Sequence, residues 1–122
     1  MARYILIVED TKVLAETIAD SLRMEGFEVV ITENGKQALD NIEKRIPDLV
    51  ITDLLMPQMD GLEFTRQFRL DPRHKQTPVI IISAQVSDDV FHAGQEAGAN
   101  LFLKKPFDQN QLINSVSTLL KK

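Results

Sequence analysis

Five short apolar runs, Tyr4–Val8, Phe27–Ile31, Leu49–Ile51, Val79–Ile82 and Leu101–Leu103, recur along the chain with room for one helix between each pair. They are rich in Ile and Val and continuous rather than alternating. Strands buried on both faces read this way, which happens when a parallel sheet is covered by helices on each side. The intervening segments carry apolar residues at helical spacing. The first stripe is Val13, Leu14, Ile18 and Leu22; the second is Ala38, Leu39 and Ile42; the third is Leu62, Phe64 and Phe68. The fourth is Val90, Ala93, Gly94 and Ala97, and the last is Leu112, Ile113, Val116, Leu119 and Leu120. Strands alternating with helices predict an α/β fold: a (βα)5 doubly wound sheet with right-handed crossovers.

The punctuation fits that parse. Asn34 with Gln37, and Asp108 with Gln111, have the spacing of an N-cap and its partner three residues on. Thr11 and Ser87 stand where the first and fourth helices need an N-cap. Gly26 and Gly98 fall where those helices must stop, and Pro47, Pro78 and Pro106 sit at element boundaries, where a missing N–H costs little. No linker or repeat interrupts the pattern, and the last helix is expected to end at Lys121-Lys122. Residues 1–122 are therefore expected to form one domain.

Composition narrows the function. Lys+Arg number 14 and Asp+Glu 18, so the net charge is 14 − 18 = −4. That balance argues against a nucleic-acid binder that works by neutralising phosphates. Without cysteine there is no disulfide, thiolate metal site or Cys nucleophile. The run Tyr4–Val8 stops at Glu9-Asp10, far short of a membrane span, and lacks the pattern of a signal peptide. A cytoplasmic protein with no membrane partner is expected.

Ligands of such sheets lie beyond the carboxyl ends of the strands. Glu9-Asp10 follow the first strand, Asp53 ends the third, Ser83 the fourth, and Lys104-Lys105 the fifth; the second ends in Thr32-Glu33. Glu9, Asp10 and Asp53 repel one another unless a cation joins them. Lys105 supplies one charge. The donors are all hard oxygens, which favours Mg²⁺ over zinc or copper. A carboxylate beside a metal, a lysine and a hydroxyl has the parts needed to accept a phosphoryl group. Asp53, on the central strand, is the expected acceptor.

The series Ile7-Val8-Glu9-Asp10, Asp48–Asp53, Met56-Pro57-Gln58-Met59-Asp60-Gly61, Ser83-Ala84, Ala97–Asn100 and Lys105-Pro106-Phe107 resembles the receiver domain of bacterial two-component response regulators, over the full length. The resemblance implies the flavodoxin-like strand order 2-1-3-4-5, for which a member of this family is a standard example. It implies Mg²⁺-dependent phosphorylation of Asp53 by a histidine kinase or phosphotransfer protein. Asp10, Asp53 and the Leu55 backbone carbonyl would be metal ligands, with Glu9 acting through water. Ser83 and Lys105 would contact the phosphoryl group, and Ser83 with Phe102 would form the switch. The Lys105–Pro106 peptide would be cis. The face made by the fourth helix, fifth strand and fifth helix would bind a downstream protein, the chain being a monomer or a phosphorylation-dependent dimer. The domain would catalyse its own phosphorylation and slow dephosphorylation without being an enzyme of turnover.

Several positions depart from the family pattern. The acid pair is Glu-Asp rather than Asp-Asp, Ser83 replaces the frequent Thr, and Phe102 has no hydroxyl. An apolar Leu55 cannot position an attacking water, which predicts a long-lived phosphoryl group. Leu55 also weighs against a haloacid-dehalogenase-like phosphatase, which needs an acid/base Asp at that position. A nucleotide- or flavin-binding module is disfavoured because Glu9-Asp10-Thr11-Lys12 is acidic and lacks glycine. Lys104, His74 and His92 read as surface residues, the methionines as packing fillers with Met56 and Met59 shaping the loop after Asp53. Phe91 points away from the sheet, as a boundary residue or as an anchor for a partner. No DNA-binding segment is expected after Lys122, which leaves open a stand-alone regulator or a receiver cut from a longer chain.

Overall fold

The computed structural model describes residues 3–120, so the expected helix end at Lys121-Lys122 lies outside the described residues. Strands β1 (Tyr4–Val8), β2 (Glu28–Thr32), β3 (Leu49–Asp53), β4 (Val79–Ser83) and β5 (Leu101–Lys104) alternate with helices α1 (Lys12–Met24), α2 (Gly35–Lys44), α3 (Gly61–Leu70), α4 (Asp88–Ala97) and α5 (Gln109–Leu120). A single 3-10 turn, Pro72–His74, joins α3 to β4. The sheet is parallel throughout in the order β2-β1-β3-β4-β5. The expected (βα)5 architecture is the observed one. Strand β1 matches its apolar run, while β2 to β5 run one to two residues beyond theirs, because the polar residues that end them stay in the ladder.

Alternation along each strand divides the core in two. Ile5, Ile7, Leu49, Ile51, Ile80 and Ile82 face the layer of α1 and α5, where Ala15, Ile18, Ala19, Leu22, Leu112 and Val116 meet them. Tyr4, Leu6, Val8, Val50, Val79 and Ile81 face the other layer, packed by Ala38, Ile42, Phe64 and Phe68. Both faces of the inner strands are dry, hence the continuous apolar runs. The rings of Phe64 and Phe68 stack at 5.8 Å, and truncating either to Ala would cost about 3–5 kcal/mol by the usual cost of emptying a core site.

The caps behave largely as their spacing predicts. Asn34 accepts from the amide of Gln37 while the Gln37 side chain accepts from the amide of Glu33. Asp108 and Gln111 exchange the reciprocal pair, and Ser87 accepts from the amide of Val90. Gly26 and Gly98 adopt φ of 94° and 110°, where a side chain would be strained.

Four expectations need correction. Val13 does not belong to the buried stripe of α1: it is 77% exposed, and Ala15 and Ala19 fill the face instead. The α1 stripe is centred one position later than the large residues suggest. Thr11 occupies the N-cap position of α1 without a side-chain cap. Met24 fills no gap, because its side chain is exposed at the end of α1. His74 is 2% exposed, not a surface residue; its ring lies flat on Phe68 at 4.5 Å. The 3-10 turn folds this polar stretch back onto α3, which its composition conceals. His92 and Lys104 are exposed, as expected. No described helix is long and apolar enough to cross a membrane.

Candidate functional site

Because β1, β3, β4 and β5 are successive neighbours, their carboxyl ends open on one edge. Glu9 and Asp10 leave β1 there, Asp53 and Ser83 end β3 and β4, and Lys105 follows β5. Carboxylate oxygens of Glu9, Asp10 and Asp53 lie within 4.8 Å of one another. The Lys105 ammonium reaches in from the β5 side, 3.3 Å from Asp53 Oδ1 and 3.7 Å from Glu9 Oε1. Every candidate acid and the lysine therefore converge, while Lys104, one residue earlier, faces outward by strand alternation.

Each group is held by its own local device. Asp53 Oδ1 accepts from the amide of Leu54 at 2.8 Å, which fixes the carboxylate at the strand end. Glu9 Oε2 accepts from the amide of Thr11 at 3.0 Å, whereas Glu9 Oε1 is buried and accepts no hydrogen bond. Burial pushes the Glu9 carboxyl up to about 7; the Thr11 amide and Lys105 oppose the rise, and the nearby Asp53 charge adds to it. A buried oxygen without a hydrogen bond, beside two further carboxylates, is a place that a hard divalent cation would complete. The donor set fits such an ion.

Ser83 and the loop after it border a cavity of about 410 Å³ shared with Asp53, Leu55, Gln85, Val90 and Lys105. The Ser83 hydroxyl donates to the carbonyl of Gln85 at 2.9 Å and accepts from its amide at 3.1 Å. Ser83 thus ties the loop into α4 to the end of β4. The Lys105 amide donates to the Ser83 carbonyl at 2.8 Å, so the two ends are also joined through backbone. The Lys105–Pro106 peptide is cis. Phe102 lies on β5 beside Ile81 of β4, half-buried against α4, with its ring 5.6 Å from that of Phe91.

Some contributors carried no legible signal. Gly61 opens α3 directly against the site: a Cβ there would stand 2.3 Å from the Asp53 carbonyl oxygen. The Met56–Gly61 series marked this residue but not this contact; Asp60 before it caps α3 by accepting from the amide of Glu63. The backbone groups of Gln85, Leu54 and Thr11 do work that no side-chain pattern reports.

The model of the response regulator receiver domain matches residues 5–117. The chain belongs to this family. The response regulator MprA of Mycolicibacterium vanbaalenii is 36% identical over 118 residues, which span 97% of this chain and 50% of that protein. The chain thus covers about half the length of the curated relatives it matches. Among solved structures, the Vibrio cholerae chemotaxis protein CheY4 superposes with a TM-score of 0.95 at 28% identity, covering 98% of this chain and 99% of that one. The receiver domain of the sensor histidine kinase PA1611 from Pseudomonas aeruginosa PAO1, described with a magnesium ion in its active-site cleft, gives 0.91 at 28% identity and full coverage of both chains. Receiver domains are phosphoryl acceptors in phosphorelay signalling, not turnover enzymes. In this receiver domain the acidic cluster beside Lys105 is able to coordinate a metal.

Proposed function

We propose that this receiver domain is a switch set by phosphorylation of Asp53, with a phosphohistidine of a histidine kinase or phosphotransfer protein as donor. The observation that carries the reading is the position of the Asp53 carboxylate: 3.3 Å from the Lys105 ammonium and on the wall of a cavity shared with Ser83. An Asp53 oxygen forms the new bond to phosphorus while the bond from phosphorus to the donor's imidazole nitrogen breaks. The bonding pair stays on that nitrogen, and the imidazole leaves neutral because its other nitrogen carries a proton. Lys105 faces the negative charge of the transferring oxygens. The Ser83 hydroxyl exchanges the Gln85 carbonyl for a phosphoryl oxygen.

A magnesium ion held by Asp10, Asp53 and the Leu55 carbonyl, with Glu9 acting through water, would supply charge neutralisation at the same oxygens. When Ser83 lets go of Gln85, the loop before α4 is free to repack, and Phe102 follows. A phosphoryl group shifts such a balance only by contacts that differ between the two states, here those of Ser83 and Lys105. The output on this reading is a protein docking on the face of α4, β5 and α5, by a monomer or a phosphorylation-dependent dimer, in the cytoplasm.

Intact mass after a small-molecule phosphodonor with Mg²⁺ tests the assignment. Wild type should gain one phosphoryl group and Asp53→Ala none. An unmodified wild type, or an adduct on the variant, overturns it.

A further inference from the structure

Gly94 stands inside α4 with helical backbone, since the glycines with positive φ are Gly26 and Gly98. Glycine is a poor choice at such a position, because alanine makes a better helix interior and fits the same dihedrals. The reason lies across the interface. A Cβ built on Gly94 would come within 2.0 Å of Phe102 Cζ and within 2.5 and 2.8 Å of its two Cε atoms. The tip of the Phe102 ring therefore occupies the space that any other residue at 94 would fill. Phe91, one turn earlier on α4, closes the ring in from the side at 5.6 Å with an interplanar angle of 46°. Phe91 is itself 40% exposed, so one face of this aromatic pair reaches the surface. Val90, four residues before Gly94, both lines the cavity at Asp53 and packs in the cluster that holds Phe102.

We propose that Gly94 is a positioning residue: by leaving its Cβ position empty it seats Phe102 on α4, so that α4 and β5 move together and Phe91 carries the result to the surface. Phe102 has no hydroxyl to anchor it, and the seat on Gly94 does that work by shape alone. The helix that receives the Ser83 loop then also holds the β5 ring. Displacement at the site reaches Phe102 through Val90 and the helix, without a hydrogen bond to Phe102. The signalling half of this inference rests on phosphorylation of Asp53; the seat itself does not.

The test uses Gly94→Ala, Phe102→Leu and the double variant. A leucine lacks the ring atoms that meet the new Cβ. Gly94→Ala should lower the thermal midpoint by about 5 °C or more in the wild-type background, as overpacking does. In the Phe102→Leu background the same change should leave the midpoint unchanged or raise it, because helix propensity then acts alone. Equal effects in the two backgrounds overturn the seat. Fluorine NMR of protein labelled with 4-fluorophenylalanine, assigned by single Phe→Leu variants, reads the coupling before and after phosphodonor with Mg²⁺, with intact mass taken on the same samples. The Phe91 and Phe102 resonances should shift together in wild type. In Gly94→Ala the mass adduct should persist while the Phe91 shift falls at least severalfold. A full Phe91 shift in that variant overturns the proposal. No adduct on wild type overturns the Asp53 reading and the signalling role of the seat with it, while the midpoints still judge the seat as a packing device.

Discussion

The Arg69 guanidinium donates twice to the carbonyl of Gly98, from Nε at 3.1 Å and from Nη2 at 2.9 Å, and so holds the C-terminal end of α4 from the end of α3. The same group donates to the His74 carbonyl at 2.6 Å and to Asn100 Oδ1 at 2.9 Å. Among the described residues no carboxylate lies within ion-pair distance of it. Its charge is met by neutral oxygens and by the dipole at the end of α4. Asn100 Oδ1 also accepts from the amide of Val79, so one cation ties α3, α4 and the start of β4 together. Helix α4 is thus fixed at Gly98, while its other end follows the loop governed by Ser83.

Arg69→Ala should leave three acceptors short of their donors and destabilise the domain by about 2–3 kcal/mol, the scale for hydrogen bonds from a charged group. Urea unfolding measures this. Arg69→Lys should recover less than half, because an ammonium cannot reproduce the fork. A loss below about 0.5 kcal/mol for the alanine variant would mean that the clamp is ornamental.

His74 should make stability fall in mild acid. Burial lowers its pKa from the ordinary 6.5, with Asp71 opposing and Arg73 assisting, and with Glu43 and Arg69 as weaker influences. Above 6.5 the imidazole is neutral in both the folded and the unfolded chain, so it adds no pH dependence there. Below that value the unfolded chain binds a proton that the folded one refuses. Stability then drops as pH falls toward the folded pKa, by at most about 1.4 kcal/mol per pH unit for one group. Thermal midpoints from pH 7.5 to 5 should show this slope, and His74→Phe, which keeps the stack on Phe68, should flatten it. Parallel profiles for the two proteins would refute the assignment.

Gly61→Ala should strike the site more than the fold. The added methyl would sit 2.3 Å from the Asp53 carbonyl oxygen, and the strand end must shift to admit it. A cost of about 1–3 kcal/mol is expected from overpacking. Phosphorylation by a small phosphodonor should slow at least tenfold, since a misplaced acceptor loses near-attack geometry. A normal phosphorylation rate in a folded variant would count against the role given to this contact.

Leu55 should lengthen the lifetime of a phosphoryl group on Asp53. Its side chain is 73% exposed on the cavity wall beside Ser83 and Gln85, and it offers an attacking water neither donor nor acceptor. Wild-type phosphoprotein should persist for minutes or longer. Leu55→Asn should shorten that time severalfold, read as the decay of the adduct by mass after the donor is removed. Decay of the wild type within seconds would sink the idea.

The five apolar runs and the polar residues that follow them were enough to read the (βα)5 order and to nominate Glu9, Asp10, Asp53, Ser83 and Lys105, because burial on both faces and strand-end chemistry leave marks in consecutive residues. The reciprocal caps at Asn34–Gln37 and Asp108–Gln111 were legible for the same reason: both partners lie within one helical turn. What depends on distant segments left no such mark. His74 looks like a loop residue until the 3-10 turn lays it on Phe68, and Val13 looks like core until Ala15 takes its place. Gly94 reads as part of a helical stripe, but its meaning is the ring of Phe102 on another element. Local composition encodes each element's period and ends, whereas the space left at a single Cβ is set by a side chain elsewhere in the chain and exists only once the two have packed.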